Sequence, residues 1–516
     1  MLRKIFYFLI ALMIGSSSMA QSKDLKGRIK IDTDRIIGEI DKNLYGNFSE
    51  HLGRCIYGGI YDPGSKLSDA LGFRKDVLEA AKGLNVSILR WPGGNFVSGY
   101  HWEDGIGPQQ QRKARTDLAW QTPEPNTFGT DEFIDFCRQL GTQPYIAVNM
   151  GTGSWDEARN WVEYCNVKEG PYYAELRKKN GHPEPYNVKY WSLGNEVDGW
   201  WQMGHKNAED YGKFALEAAK LMKWTSPQIK LIAAGSSNYG GGADPTGWNR
   251  TVLDYLKEYI DYISLHLYVG NPDNNYYAFM ASPLEIEERT SIVEGQIKEA
   301  LSKAKRKTPI YVAWDEYNVW YRARGGDFMV GRRALEEKYN LEDALVIAGF
   351  LNAFIRNAHI VKMANMAQLV NVIAPMFTSE TDMFRQTIYY PLALFANNSF
   401  GTSLNAFVDS PTYDTDKRKA VPYLDVSVAY QNDEVVINVV NRHLTESLKT
   451  EIVSQKGEFS GEFSVYEVNG PDVKTENTFG SEPIKSVKKP NIKVNGNSFS
   501  FEFPPHSFVM LKGKLK

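Results

Sequence analysis

A chain of 516 residues is too long for one ordinary domain, and its 42% hydrophobic and 23% charged content suits packed cores rather than a disordered chain. The net charge of −3 lacks the concentrated positive surface that phosphate binding needs, which argues against nucleic acid as a partner.

The first twenty residues read as a targeting segment. Arg3 and Lys4 make a short positive start, Ile5 to Ile14 is apolar but too short to span a bilayer, and Ser18-Met19-Ala20 offers small residues at a cleavage site. The expectation is a signal peptide over 1–20, export to the periplasm or exterior, and no membrane contact once it is removed. Residues 21–43 carry strand material, with Arg28-Ile29-Lys30-Ile31-Asp32 alternating polar and apolar.

From Leu44 the texture changes. Short apolar runs predict strands at 44–49, 87–91, 143–149, 189–193, 230–234, 262–267, 310–315 and 367–373. Helical periods fall between them, for example over 74–83, 131–140, 207–224, 288–305 and 343–356. Eight such units predict a (β/α)8 barrel over 44–390. An open doubly wound sheet is weakened by the lack of a Gly-rich phosphate fingerprint after the first strand. Beyond Asn397 the helical period disappears. Short alternating runs between Gly, Asn, Asp and Pro predict an all-β sandwich over 391–516, which the 21–43 strand segment joins. Cys55, Cys137 and Cys165 fit no zinc spacing and cannot all pair, so free buried thiols are expected.

In such a barrel the site lies where strands end. Those ends carry Glu50 and His51, Arg90 and Asn95, Asn195 and Glu196, His266 and Tyr268, Asp315 and Glu316, and Gln368. Glu196 after the fourth strand and Glu316 after the seventh can project over one mouth. Glycosidic cleavage needs such a carboxyl pair, one group to protonate the leaving oxygen and one to meet the developing oxocarbenium centre. Asp315 competes with Glu316: in a regular strand they point to opposite faces, and periodicity does not choose between them. Glu50, Glu103, Asp104 and Asp198 are further competitors. No His-rich zinc pattern, Gly-x-Ser-x-Gly elbow or P-loop is present, so no metal or other cofactor is expected. All 12 Trp lie between Trp91 and Trp320, which assigns the sugar-stacking platforms to the barrel.

Four motifs make this specific: Gly46-Asn47-Phe48-Ser49-Glu50-His51, Leu89-Arg90-Trp91-Pro92-Gly93-Gly94-Asn95, Trp191-Ser192-Leu193-Gly194-Asn195-Glu196 and Trp314-Asp315-Glu316-Tyr317-Asn318. In order and spacing the chain resembles glycoside hydrolase family 51, best known for α-L-arabinofuranosidases. The resemblance implies retention of configuration, with Glu196 as acid/base and Glu316 as nucleophile. It implies sugar contacts from Glu50, Asn95, Asn195, Tyr268 and Gln368, with His266 beside them, and pocket walls at Trp102 and Trp320. Arg90 is counted with these substrate-binding residues, where it either orients Glu316 or neutralises the barrel mouth. The implied substrate is a plant cell-wall polysaccharide or oligosaccharide, and relatives often form homo-oligomers. Two alternatives remain: an endo-β-glycanase on glucan or xylan, and a catalytically silent carbohydrate-binding protein.

Overall fold

The computed structural model describes residues 25–516; the expected signal peptide at 1–20 lies outside them. Eight parallel strands close a barrel in sequence order: Gly46–Phe48, Ile88–Trp91, Gln143–Ala147, Tyr190–Leu193, Lys230–Ala233, Tyr262–Val269, Tyr311–Val319 and Val361–Ala367. The first strand pairs in parallel with the eighth, Asn365 opposite Gly46. Seven strands fall on their predicted positions. The eighth meets its predicted range only at Ala367: it runs over 361–367 rather than 367–373. The Gln368–Ile373 run instead folds back on itself, with Gln368 N–H bonded to Ile373 C=O and left-handed backbone at Asn371 and Ile373. Its Val and Ile side chains are buried by a loop, not by a sheet.

The barrel axis is filled by side chains from successive strands, among them Ile88, Tyr145, Tyr190, Ile232, Tyr262 and Met363. The helices between strands bury their apolar sides outside this ring. Helix Leu341–Arg356 is buried along nearly its whole length, not along one stripe, because the barrel flanks it on one side and the second domain on the other. Asn340 and Asp343 cap its N-terminus reciprocally. At its far end Arg356 pairs with Asp425 at 2.6 Å, and Asn352 bonds the Asp425 backbone and Ser427.

The second domain is a β-sandwich. A seven-stranded sheet holds Ile36–Ile40, Gly401–Leu404, Leu424–Gln431, Glu434–Asn441, Ser507–Leu515, Phe459–Val468 and Ser486–Gly496. A four-stranded sheet holds Phe407–Asp409, Lys26–Ile31, Leu448–Ser454 and Ser498–Phe503. The N-terminal segment is thus two strands, one in each sheet: Arg28 lies opposite Glu451, and Glu39 opposite Thr402. Ile29, Ile31, Val428, Ile437, Ile452, Phe463 and Leu511 form the core between the sheets. The three cysteines are free and buried.

Candidate active site

The polar groups at the strand ends gather at the C-terminal rim of the barrel, around one cleft of about 820 Å3. Beneath it lies Arg90. The second strand turns this side chain into the barrel axis, fully buried, with its guanidinium 4.6 Å from the Phe48 ring centre. Nη1 donates to Glu316 Oε1 at 2.6 Å and Nη2 to Asn195 Oδ1 at 2.6 Å, while Nε stands 3.6 Å from Asp315 Oδ2. A planar fork of donors can fix several partners in set directions at once. Arg90 does not line the cleft, which corrects its placing among the sugar contacts: it is covered by the groups it orients.

Above Arg90 the two candidate carboxylates face each other. One oxygen of Glu196 and one of Glu316 lie within 4.8 Å of each other, with His266 Nδ1 2.9 Å from Glu196 and 3.5 Å from Glu316. Glu316 accepts from Arg90 on Oε1 and from the Tyr268 hydroxyl on Oε2, at 2.8 Å. Glu196 Oε1 meets His266 Nδ1 at 2.9 Å, and Oε2 accepts the Trp201 indole N–H at 2.6 Å. The Gly194-Asn195-Glu196 turn takes left-handed backbone at Gly194 and at Glu196, whose φ is +44°. Such a conformation is costly for a non-glycine residue, and strained residues of this kind cluster at functional sites. Burial, reinforced by the Glu316 charge, raises the Glu196 carboxyl above its ordinary range although His266 and Trp201 pull the other way.

Asp315 and Glu316 both turn inward, which corrects the expectation that only one could. The seventh strand carries a bulge: Ala313 pairs with Ser264 but Glu316 with His266, and Trp314 pairs with Ala364 but Tyr317 with Met366. One extra residue breaks the two-residue alternation. Asp315 Oδ1 meets His266 Nε2 at 3.1 Å, and Oδ2 accepts the Tyr145 hydroxyl at 2.7 Å. Burial alone would raise the Asp315 carboxyl, but Arg90 and His266 hold it below the ordinary range. Burial would likewise depress His266, yet the surrounding Glu316, Asp315 and Glu196 carboxylates raise it well above the usual imidazole value.

The far wall is built on Glu50. Its carboxylate accepts from the Phe96 backbone N–H at 2.9 Å, the Trp120 indole at 3.0 Å and the Gln368 amide at 3.2 Å, while its own N–H donates to Gln368 Oε1. Burial pushes Glu50 up to about 8 despite the Phe96 N–H. A Cβ on Gly94 would stand 3.1 Å from Glu50 and 3.4 Å from Glu316, so a bare backbone lets this loop floor the cleft. Asn95 and Gln368 line the same cleft. Asn195 Nδ2 is buried there without a partner among the described residues, a donor free for a sugar hydroxyl.

The tryptophans divide. Trp320 lines the cleft, edge-on to Tyr268. Trp102 does not: it is 1% exposed, stacked on Trp161 and bonded to the Glu157 carbonyl, so its place as a pocket wall is corrected to the core. It packs on Trp161 and Tyr164 of the helix Trp155–Asn166. Sequence reasoning missed Trp120, which donates to Glu50, and Trp201, which donates to Glu196; the Trp200-Trp201 pair just after Glu196 was the one visible signal for the latter. Among the competing acids, Asp198 caps Ser237 and Asn238, Asp104 pairs with Arg115, and Glu103 accepts from Tyr173. None of these three lines the cleft. Glu196, His266 and Glu316 are spaced as metal ligands could be, but the guanidinium already bound to Glu316 would repel a cation there.

Comparison with known proteins agrees with this geometry. The α-L-arabinofuranosidase 1 domain family matches residues 80–282, and the α-L-arabinofuranosidase C-terminal domain family matches residues 315–507. The chain is 40% identical over 498 residues to an intracellular exo-α-(1→5)-L-arabinofuranosidase of Bacillus subtilis, covering 95% of this chain and 99% of the relative. It is 44% identical over 432 residues to an intracellular exo-α-(1→5)-L-arabinofuranosidase of Halalkalibacterium halodurans, covering 82% and 86%. Among solved structures it superposes on a thermostable family 51 α-L-arabinofuranosidase of Thermotoga petrophila with a TM-score of 0.86 at 41% identity, covering 94% of this chain and all of the other. The names of both curated relatives overturn the expectation of an exported enzyme, because each is an intracellular protein.

Proposed function

We propose that this chain, which belongs to the α-L-arabinofuranosidases of glycoside hydrolase family 51, removes terminal α-L-arabinofuranosyl groups with retention of configuration. Its substrates in this reading are arabinan, arabinoxylan or the oligosaccharides derived from them. The two relatives at 40% and 44% identity are named exo-α-(1→5)-L-arabinofuranosidases, which favours 1,5-linked arabino-oligosaccharides. The barrel, residues 44–390, carries the chemistry, and the sandwich of 391–516 with the described part of the N-terminal segment, 25–43, buttresses it.

One observation carries the mechanism: carboxylate oxygens of Glu196 and Glu316 within 4.8 Å of each other. That separation matches the ~5–5.5 Å of double-displacement enzymes and leaves no room for the water that an inverting pair, set ~6.5–9.5 Å apart, must hold. Glu316, aimed by Arg90 and Tyr268, attacks the anomeric carbon while Glu196, whose carboxyl burial raises above its ordinary range, gives its proton to the leaving oxygen. An arabinosyl ester of Glu316 forms with inversion. Glu196, now ionised, takes a proton from water as the water attacks the same carbon and displaces the Glu316 carboxylate, and this second inversion restores the configuration. Asn195 Nδ2 is suited to the 2-hydroxyl, where contacts strengthen as positive charge develops. Glu50, Asn95 and Gln368 take the remaining hydroxyls, and Trp320 with Tyr268 walls the ring.

The test is proton NMR of a 4-nitrophenyl α-L-arabinofuranoside digest in its first minutes. The α-anomer of arabinose appears first if the reading is right. The β-anomer first would mean inversion, and cleavage of a β-glucan with no cleavage of the arabinofuranoside would make the protein an endo-glycanase.

A further inference from the structure

Trp200 is 76% exposed, yet it lines the same cleft as the catalytic pair. An indole in water at the edge of a site, with no described side chain covering it, is a stacking face in waiting. Its place relative to Glu196 gives it a direction. Trp201 donates its N–H to Glu196, so its ring borders the leaving oxygen. Trp200 packs edge-on against Trp201, ring centres 5.9 Å apart at 81°. Contact runs from Glu196 to Trp201 to Trp200, and exposure rises from the partly buried first two to the third.

The loop that holds Trp200 is rigid. Gly199 N–H bonds the Glu196 carbonyl and Gln202 N–H bonds the Gly199 carbonyl. Lys206 N–H returns to the Val197 carbonyl, and Asp198 ties the loop to the Ser237 and Asn238 backbone. A Cβ on Gly199 would strike the Trp201 ring at 2.4 Å, so the backbone there is fitted to that indole. An aromatic ring fixed before its ligand arrives loses little freedom on binding. The cleft also has space. At about 820 Å3 it lies high in the ~300–1,000 Å3 range of pockets that enclose drug-sized ligands, and one pentose is far smaller than those.

We propose that Trp200 is the platform of a second leaving-group subsite, stacking the neutral sugar two residues beyond the cleaved bond. The inference rests on the arabinofuranosidase reading and adds to it a preference for oligosaccharides of at least three units. The terminal arabinosyl group sits over Glu316, the next sugar against Trp201, and the third on Trp200.

The test compares kcat/KM on 4-nitrophenyl α-L-arabinofuranoside, 1,5-linked arabinobiose and 1,5-linked arabinotriose for the full chain and for Trp200→Ala and Trp200→Phe. The unaltered protein should prefer the triose. Trp200→Ala should lose about tenfold on the triose, in KM rather than kcat, and about nothing on the other two. Trp200→Phe should recover most of that loss. Equal loss on all three substrates, or no loss on the triose, overturns the subsite. Equal loss accompanied by a smaller assembly on size-exclusion chromatography would assign the indole to contact between chains and also overturn it. If the unaltered chain cleaves none of the three, the underlying reading fails instead.

Discussion

Asp315 and Glu316, neighbours in the chain, both reach His266: Asp315 meets Nε2 at 3.1 Å, and Glu316 lies 3.5 Å from Nδ1. The seventh-strand bulge makes this possible, and it turns a competitor for the nucleophile's role into its support. Asp315 touches no part of the cleft. It anchors His266 and faces Arg90, and through them positions both Glu196 and Glu316. Asp315→Asn should therefore lower kcat on the order of 10²-fold, the size of one preorganised electrostatic contact, while KM moves less than about twofold. The same change removes a negative charge beside an imidazole that its carboxylate neighbours hold well above the usual value. The variant's His266 should then lose its proton at lower pH, read from the imidazole resonances in an NMR titration. An unchanged His266 titration would show that Asp315 is only packing.

Glu196 predicts a split by leaving group. An acid catalyst must carry its proton, so kcat/KM on natural oligosaccharides should hold steady below the raised Glu196 value and fall as pH rises through it. Glu196→Ala should cost about 10²–10⁴-fold on such substrates and less than about tenfold on a 2,4-dinitrophenyl arabinofuranoside, whose leaving group needs no proton. Glu316→Ala should abolish turnover of both. Steady-state kinetics on the two substrate types across pH checks all three outcomes, and equal loss on both in the Glu196 variant would refute the assignment of roles.

Trp102 and Trp120 should separate stability from binding. Trp102 is a core side chain, so Trp102→Ala should destabilise the protein by about 3–5 kcal/mol in denaturant unfolding and leave KM of the folded fraction unchanged. Trp120 gives Glu50 one of its three donors, so Trp120→Phe should raise KM roughly tenfold with a much smaller stability change. A raised KM in a stable Trp102 variant would return that residue to the pocket.

The contrast shows what the sequence could carry. Strand and helix periods locate the barrel because burial imposes them, and motifs at strand ends locate the site because the barrel's topology puts those ends together. The eighth strand was misplaced because Lys362 and Asn365 dilute its apolar pattern, while Leu369-Val370-Asn371-Val372-Ile373 looks more like a strand than the real one. That run turns instead, and Ile373 N–H bonds the Leu335 carbonyl. The Asp315 bulge left no mark in the period, because the strand Tyr311–Val319 is buried on both faces and so has no polar–apolar alternation for one extra residue to break. Which tryptophans face the cleft depends on loop paths, and composition does not encode those.

Arg90 gives the sharpest energetic prediction, because its carboxylate partners are nearly as buried as it is. Side chains of Arg90, Asp315 and Glu316 are 0%, 1% and 6% exposed. Removing one partner of such a pair leaves an uncompensated charge in a poorly polarisable interior, which costs about 3–5 kcal/mol. Arg90→Met should lose that much in denaturant unfolding at neutral pH. Adding Asp315→Asn, which deletes one of the stranded negative charges, should recover part of it, so the two changes should be non-additive. The stability lost in Arg90→Met should shrink as pH falls, because the stranded carboxylates can then be protonated and no longer need the cation. Arg90→Lys should fold better than Arg90→Met yet remain about 10²-fold or more slower than the unaltered enzyme, since one ammonium cannot hold Glu316 and Asn195 in the two directions that the guanidinium fixes. An Arg90→Met variant as stable as the unaltered chain at every pH would mean that Asp315 and Glu316 are not both charged beneath the cleft, and the positioning role of Arg90 would fall with it.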